Sequence, residues 1–90
     1  MSVDKFFLML EKAPRLVNLW DRNKRELKLD SFEQALGVMS HGEVHLAKFY
    51  AAVWFGNNKH YSFDLVDAMS SLDDRERDMI ISWMKAPFWP

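Results

Sequence analysis

Cysteine is absent from the 90-residue chain, and glycine and proline occur only three times each. Without cysteine the fold has no disulfide, and it has no thiolate to bind a metal or attack a substrate. The few glycines and prolines, together with the lack of sustained alternation of apolar and polar residues, argue against short strands joined by tight turns. We therefore expect helices that are held together by packing alone.

Long hydrophobic runs are also missing. No run of about 18 apolar residues occurs, so we expect no membrane-spanning segment. Near the N-terminus only five consecutive residues are apolar, Phe6 to Leu10, which is too few for the core of a signal peptide. These features predict a soluble, cytoplasmic protein, and the short length predicts a single helical domain over residues 1–90.

Large apolar side chains are abundant instead. Hydrophobic residues make up 49% of the chain and aromatic residues 14%, which is more than a small core readily hides. Charge is unevenly distributed, because residues 1–29 hold seven Lys/Arg and four Asp/Glu, whereas residues 30–90 hold five and nine. We expect part of the apolar surface to lie in a protein interface.

The clearest helix start is Ser40-His41-Gly42-Glu43, which has the serine and glutamate spacing of a capping box. The apolar sequence that follows reaches Gly56, a residue type favoured just after a helix end. Because Lys48 is the only charge past the first turn, this helix is expected to be buried on all sides. The sequence predicts an all-α fold, a single compact bundle of five or six short helices around a central apolar helix at about 41–55.

Apolar spacing and capping patterns predict the other helices. They are a helix from about Val3 to Lys12, one through Leu16, Trp20, Asn23 and Leu27, one begun by Asp30, a short one from Phe63 to Ser70 begun by Ser62 or its neighbours, and one begun by Asp73 with Glu76 as its capping-box partner.

Two histidines four residues apart, His41 and His45, raise the question of a metal site. This spacing places both side chains on one helix face, as in many helical zinc sites. However, Glu43 is expected to be used by the cap, and His60 lies beyond the opposite end of the helix. We therefore expect a capped helix start and no metal.

One basic cluster occurs, formed by Arg22, Lys24, Arg25 and Lys28 in the segment 22–28. It has three interpretations: a solvated face, a contact for a protein partner, or a weak nucleic-acid-binding surface. A helix-turn-helix that uses residues 41–55 as the recognition helix is rejected, since that helix offers apolar rather than polar side chains to base edges.

The chain ends in an aromatic tail with Trp83, Phe88 and Trp89. These side chains either fold back onto the bundle or form a docking surface. At the other end, one helix cannot turn Phe6 to Leu10 all inward, so Leu8 or Met9 must face elsewhere. We expect Leu8, Met9 and the tail aromatics to bind a partner, and the charge split favours a homodimer.

Residues 31–79 resemble a family of small, uncharacterised helical proteins that are carried on bacterial mobile elements and phages. The resemblance rests on the apolar helix from Gly42 to Trp54, on 63-FDLVDAM-69 and on the capped helix after Asp73. Two motifs differ, since members carry Trp-Asn where this chain has 54-WFGN-57, and Gly-Gly-Phe-Asp where it has 61-YSFD-64. The resemblance implies a setting, mobile DNA in the cytoplasm, and no activity.

Enzymatic chemistry finds no support in the sequence, which has no nucleophile motif, no glycine-rich phosphate loop and no metal cluster. We therefore expect no catalysis and no cofactor. The main hypothesis is a small accessory protein that binds a protein partner or itself through surplus apolar and aromatic surface. The alternative is a nucleic-acid-binding accessory protein that uses the segment 22–28.

Overall fold

The structure, a computed structural model, describes residues 2–90 and, for Ser2, the backbone alone. Over these residues the chain is mostly helical, as predicted, and measures 34 × 31 × 24 Å. None of the helices described is both long enough and apolar enough to cross a membrane. The elements are α1 (Ser2–Leu10), a 3-10 turn (Val17–Leu19), β1 (Trp20–Asp21), β2 (Glu26–Leu27), α2 (Leu29–Leu36), α3 (His41–Phe55), α4 (Leu65–Ser71) and α5 (Asp74–Lys85).

The predicted second helix is wrong, because a small β-hairpin takes its place. Trp20 pairs with Leu27 and Asp21 with Glu26 in antiparallel register. The turn is held by the Asp21 carboxylate, which accepts a hydrogen bond from the backbone N–H of Lys24 at 3.0 Å. Trp20 and Leu27 are both buried. The hairpin therefore places in the core two of the side chains that were predicted to share one face of a helix.

The start of α2 also differs from the prediction. Lys28 occupies the N-cap position without a side-chain hydrogen bond, and Asp30 lies inside the first turn. The backbone N–H of Lys28 donates to the carbonyl of Leu19 at 2.9 Å, which continues the hairpin pairing up to the helix. The exit of the hairpin therefore sets the start of α2, and the predicted cap at Asp30 is wrong.

Both ends of α3 are confirmed. The Ser40 hydroxyl accepts from the backbone N–H of Glu43 at 3.3 Å, and the Glu43 carboxylate reaches back to Ser40, which completes the capping box. At the other end Gly56 has φ 74°, a left-handed conformation that glycine adopts without strain. The buried residues of α3 are Leu46, Ala47, Phe49, Tyr50, Ala51 and Val53.

The last two helices follow local caps. α4 begins after Asp64, whose carboxylate accepts from the N–H of Asp67 at 2.9 Å, so the predicted start at Ser62 or a residue beside it is wrong. The capping box of Asp73 and Glu76 at the start of α5 is confirmed. Close packing joins α4 to α3, since a Cβ on Gly42 would lie 3.0 Å from the carbonyl oxygen of Ser71.

The core is dominated by aromatic rings from several elements. Phe6 of α1 lies 5.0 Å from Trp54 of α3 and 5.5 Å from Trp20 of the hairpin, measured between ring centroids. Trp20 in turn lies 5.8 Å from Phe32 of α2. Tyr50 is fully buried, and its hydroxyl donates to the carbonyl of Met9 at 2.6 Å. These rings connect α1, the hairpin, α2 and α3.

Candidate functional site

A surface groove runs between α1 and the C-terminal tail, and we call it the α1 groove. It has a volume of about 320 Å³, and its lining includes Leu8, Met9, Trp83 and Phe88. Four of the five residues predicted to bind a partner thus lie together, although they come from opposite ends of the chain. Leu8 is 60% exposed at the edge of the groove.

Met9 requires a correction. Its side chain is 7% exposed and belongs to the hydrophobic core, so it is not free to contact a partner as expected. Of the two residues that the sequence left open, Leu8 is the one that faces outward. The reason is the helical period, which turns Phe6, Met9 and Leu10 toward the core while Leu8 points away.

The aromatic tail folds back on the bundle. The indole N–H of Trp83 donates to the carbonyl of Phe88 at 3.0 Å, and the ring of Trp89 meets that of Trp83 edge-on at 5.6 Å. Phe88 is half-buried, whereas Trp89 remains 51% exposed. The tail therefore closes one side of the α1 groove and still leaves a large aromatic ring on the surface.

A second groove lies on the other side of Trp83, and no pattern in the sequence predicted it. It has a volume of about 360 Å³, and its walls include Phe49, Phe63, Trp83 and Trp89. Phe49 contacts both Phe63 and Trp83 through ring edges, at 5.6 and 5.5 Å. These four aromatic residues come from separate segments: Phe49 from the middle of α3, Phe63 from just before α4, Trp83 from α5 and Trp89 from the tail. Their convergence depends on the tertiary fold.

The basic cluster lies on the hairpin. Arg22, Lys24 and Arg25 form the turn, Lys28 follows β2, and all four side chains are exposed. Arg22 is within 3.5 Å of the Glu11 carboxylate and lies 5.5 Å from the centre of the Phe7 ring. The residues of the alternative hypothesis are thus together on one surface, and one of them already has an acidic neighbour.

The histidine pair lies on the first two turns of α3, where the rings of His41 and His45 stack at 6.5 Å between centroids. His60 stacks on Phe55 at the far end of the same helix, at 3.9 Å. Within residues 2–90 no three His, Asp, Glu or Cys side chains are grouped to hold a metal. That the protein binds no metal stays a prediction.

The Glu43 carboxylate is used in the cap, and its environment favours the charged form. Hydrogen bonds from Ser40 and then from Arg15 lower the pKa of Glu43. The Arg15 guanidinium lies 3.2 Å from the carboxylate and links the segment after α1 to the start of α3. The Glu43 carboxylate therefore caps α3 and also forms an ion pair with Arg15 in the segment after α1.

A polar cavity of about 530 Å³ lies between the end of α1, α3 and α5. Its lining includes Lys12, Tyr50, Asp73 and Glu76, and the last two side chains are engaged in the α5 capping box. Burial, and then the charge of Glu76, raises the pKa of Tyr50 well above its usual value, so its hydroxyl keeps its proton and acts as a donor. These groups have structural roles, and the expectation of no catalysis stays a prediction.

Comparison of the chain with protein-family models, with curated proteins and with solved structures finds no match. The resemblance of residues 31–79 to helical proteins of mobile elements and phages therefore stays a prediction.

Proposed function

We propose that the chain is a small accessory protein that binds another protein chain, or a second copy of itself, through apolar surface on α1 and the C-terminal tail, without catalysis or a cofactor. The proposed setting is the cytoplasm, in the mobile-element context that the sequence resemblance implies. The supporting observation is the α1 groove, where Leu8 is 60% exposed beside the aromatic rings of Trp83 and Phe88. Trp89 adds a ring that is 51% exposed on the same tail.

This surface has the composition of an interface core. Aromatic residues are enriched at protein interfaces, and tryptophan is among the residue types that carry most of the binding energy, particularly in well-packed pockets. Lys5 and Lys12 also line the groove and are exposed, so the apolar side chains have polar neighbours, as in the polar rim of an interface.

Affinity capture with a matched pair of variants tests the proposal. The immobilised wild type is compared with the double variant Leu8→Ser, Trp89→Ser and with the control Val38→Ser, whose side chain is 87% exposed outside the groove. We expect the control to retain the same partner chain as the wild type and the double variant to lose it. The retained chain is then titrated against purified wild type by calorimetry. Equal capture by all three proteins would contradict the proposed surface.

We also propose that the helices pack as one bundle around α3. The support is that α3 contributes six buried residues, more than any other helix described in residues 2–90. Its aromatic residues contact α1, the hairpin and α5.

Nucleic-acid binding is the alternative, and the exposed basic side chains of the hairpin turn support it. With Arg22, Lys24, Arg25 and Lys28 as the only phosphate contacts, the logarithm of affinity should fall with the logarithm of salt with a slope no steeper than about −4. Binding to duplex and single-stranded DNA at low salt, measured by fluorescence anisotropy, tests this function. Absence of binding at low salt, or binding that is unchanged in Lys24→Glu, Arg25→Glu, would exclude it.

A further inference from the structure

The outward face of α1 carries one leucine between a basic row and an acidic row. Leu8 stands 60% exposed at the centre of this face. At about 100° per residue, Lys5 and Lys12 fall about 40° to 60° to one side of Leu8. Asp4 and Glu11 fall at the same angles, about 40° to 60°, on the other side. All four charged side chains are exposed.

The helical turn continues far enough to include the last two of these residues. The backbone N–H of Glu11 donates to the carbonyl of Phe7 at 3.1 Å, and that of Lys12 donates to the carbonyl of Met9 at 3.1 Å. From Asp4 to Lys12 the charged rows together therefore extend over about 12 Å of helix, at about 1.5 Å per residue.

A second copy fits this face in one orientation. When two α1 helices lie parallel about a two-fold axis that runs along them, with Leu8 against Leu8, the basic row of each copy faces the acidic row of the other. Lys5 then lies beside the partner's Asp4, and Lys12 lies beside the partner's Glu11. An antiparallel arrangement places like charges side by side. Because a two-fold axis repeats each contact, the parallel arrangement forms four opposite-charge pairs.

The surfaces on either side of α1 have the same complementarity. The basic hairpin turn borders the acidic row, since Arg22 lies 3.5 Å from Glu11. The acidic start of α5 borders the basic row, since Lys12 shares a cavity with Asp73 and Asp78. The parallel two-fold arrangement turns the hairpin of one copy toward α5 of the other. This agrees with the excess of basic residues in 1–29 and of acidic residues in 30–90.

We propose that the partner is a second copy of this chain, which binds through parallel packing of α1 on a two-fold axis beside Leu8. This inference rests on the proposed function and names the chain that occupies the surface. An interface of usual size buries about 800 Å² per partner, so the hairpin and α5 must add to the narrow face of α1. With one apolar side chain at its centre, the dimer is weak and forms at micromolar concentration or above.

Sedimentation equilibrium tests the dimer directly. From about 1 µM to 1 mM we expect the mass to rise from that of a single chain, 10.7 kDa, toward twice that value. Leu8→Glu should raise the dissociation constant about tenfold or more, because it replaces the contact between the two leucines with two glutamates that face each other at the axis. A mass of 10.7 kDa over the whole range would overturn the inference.

Charge reversal tests the orientation. In the parallel dimer Glu11→Lys places two lysines side by side on each flank, and Lys12→Glu places two glutamates there, so each variant alone should dimerise about tenfold more weakly. A mixture of the two variants restores opposite charges at these positions and should form a heterodimer in preference to either homodimer. An antiparallel dimer gives the opposite result, since Glu11→Lys would then face Asp4 and dimerise more tightly.

Two controls separate folding from association. Lys59→Glu reverses an exposed charge beyond the end of α3, and it should leave the dissociation constant unchanged. The far-ultraviolet circular dichroism and Tm of each variant show whether it is folded. Glu11→Lys also removes the Glu11–Arg22 ion pair, but both side chains are more than half exposed, so this loss should change stability little. A different result would contradict the proposed function, namely that other protein chains are captured equally well when Leu8 and Trp89 are replaced.

Discussion

At the scale of single residues, one buried hydroxyl joins two helices. Tyr50 is fully buried in α3, and its hydroxyl donates to the carbonyl of Met9 near the end of α1 at 2.6 Å. That carbonyl also accepts from the backbone N–H of Lys12 at 3.1 Å, so it keeps one partner when the hydroxyl is removed. The hydroxyl has one proton, which it donates to the Met9 carbonyl, and its oxygen also lies 3.8 Å from Met79 Sδ of α5. Its loss leaves the ring packing in place.

We expect Tyr50→Phe to lower the free energy of unfolding by about 0.5–1.5 kcal/mol, the net worth of one hydrogen bond. In a domain of this size the Tm then falls by about 4–8 °C per kcal/mol, which calorimetry detects. The matched control is Tyr61→Phe, whose half-exposed hydroxyl donates to the Glu33 carboxylate at 3.3 Å. A larger loss of stability in the control than in Tyr50→Phe would contradict the role of the buried bond.

The sequence predicted that an apolar side chain of α1 is exposed, but it did not predict which residue carries that side chain. The run Phe6 to Leu10 required one apolar residue to face out, because a helix turns about 100° per residue. It did not decide between Leu8 and Met9, since that choice depends on where the neighbouring elements lie. Met9 lies in the α1 groove beside Met79 and Trp83 of α5, which are more than 60 residues away along the chain.

At the scale of elements, helix starts with reciprocal caps were predictable and the hairpin was not. The capping boxes of Ser40 with Glu43 and of Asp73 with Glu76 are local patterns of four residues, so neighbouring structure does not alter them. The hairpin lacks a glycine, and Arg25 adopts a positive φ of 54° in its turn. The available signal was Asp21 before a polar stretch, because aspartate often accepts from the backbone two or three residues later in a turn.

The cap of α3 leads to a prediction about pH. The pKa of Glu43 is lowered by hydrogen bonds from Ser40 and Arg15, so it lies below the value of about 4.3 for the unfolded chain. The carboxylate therefore stabilises the fold at pH values above about 4.3, and this contribution is lost as the pH falls through the lower, folded-state pKa. In Glu43→Gln the side chain keeps its size but carries no charge, and this pH-dependent contribution disappears.

The Tm of wild type and of Glu43→Gln, measured from about pH 7 to pH 3, should differ most at neutral pH and converge in acid. Ser40→Ala removes the hydrogen bond that lowers the pKa most, so it should also reduce the difference between neutral and acid Tm. Two curves that stay parallel over the whole range would show that Glu43 does not stabilise α3 through its charge.

At the scale of the whole molecule, contacts between residues far apart in the chain determine where the C-terminal tail and α1 lie, which the sequence did not predict. Both grooves meet at Trp83. The tail is held there by a hydrogen bond from the indole N–H of Trp83 to the carbonyl of Phe88. Composition predicted surplus aromatic surface, and termini are often free, so the sequence was compatible both with a tail that folds back and with one that docks on a partner. The position of α1 beside α5, which brings Leu8 to the tail, follows only from the packed core.

The arrangement of helices around α3 is tested at Trp54. This half-buried side chain lies 5.0 and 5.9 Å from Phe6 and Phe7 of α1, and 6.3 Å from Trp20 of the hairpin. Trp54→Ala removes contacts between three elements, so we expect it to cost about 3 kcal/mol, the low end for a buried tryptophan. Because a domain of this size has only about 5–13 kcal/mol of stability, the Tm should fall by more than about 10 °C.

Near-ultraviolet circular dichroism and far-ultraviolet circular dichroism of Trp54→Ala should give the same, lower Tm, since loss of the contact weakens the whole core. The control is Val38→Ala, which alters an 87% exposed side chain and should change stability by no more than about 0.5 kcal/mol. A Tm of Trp54→Ala within a few degrees of wild type would show that α1 and the hairpin are held without α3. In that case the helices do not form one bundle around it.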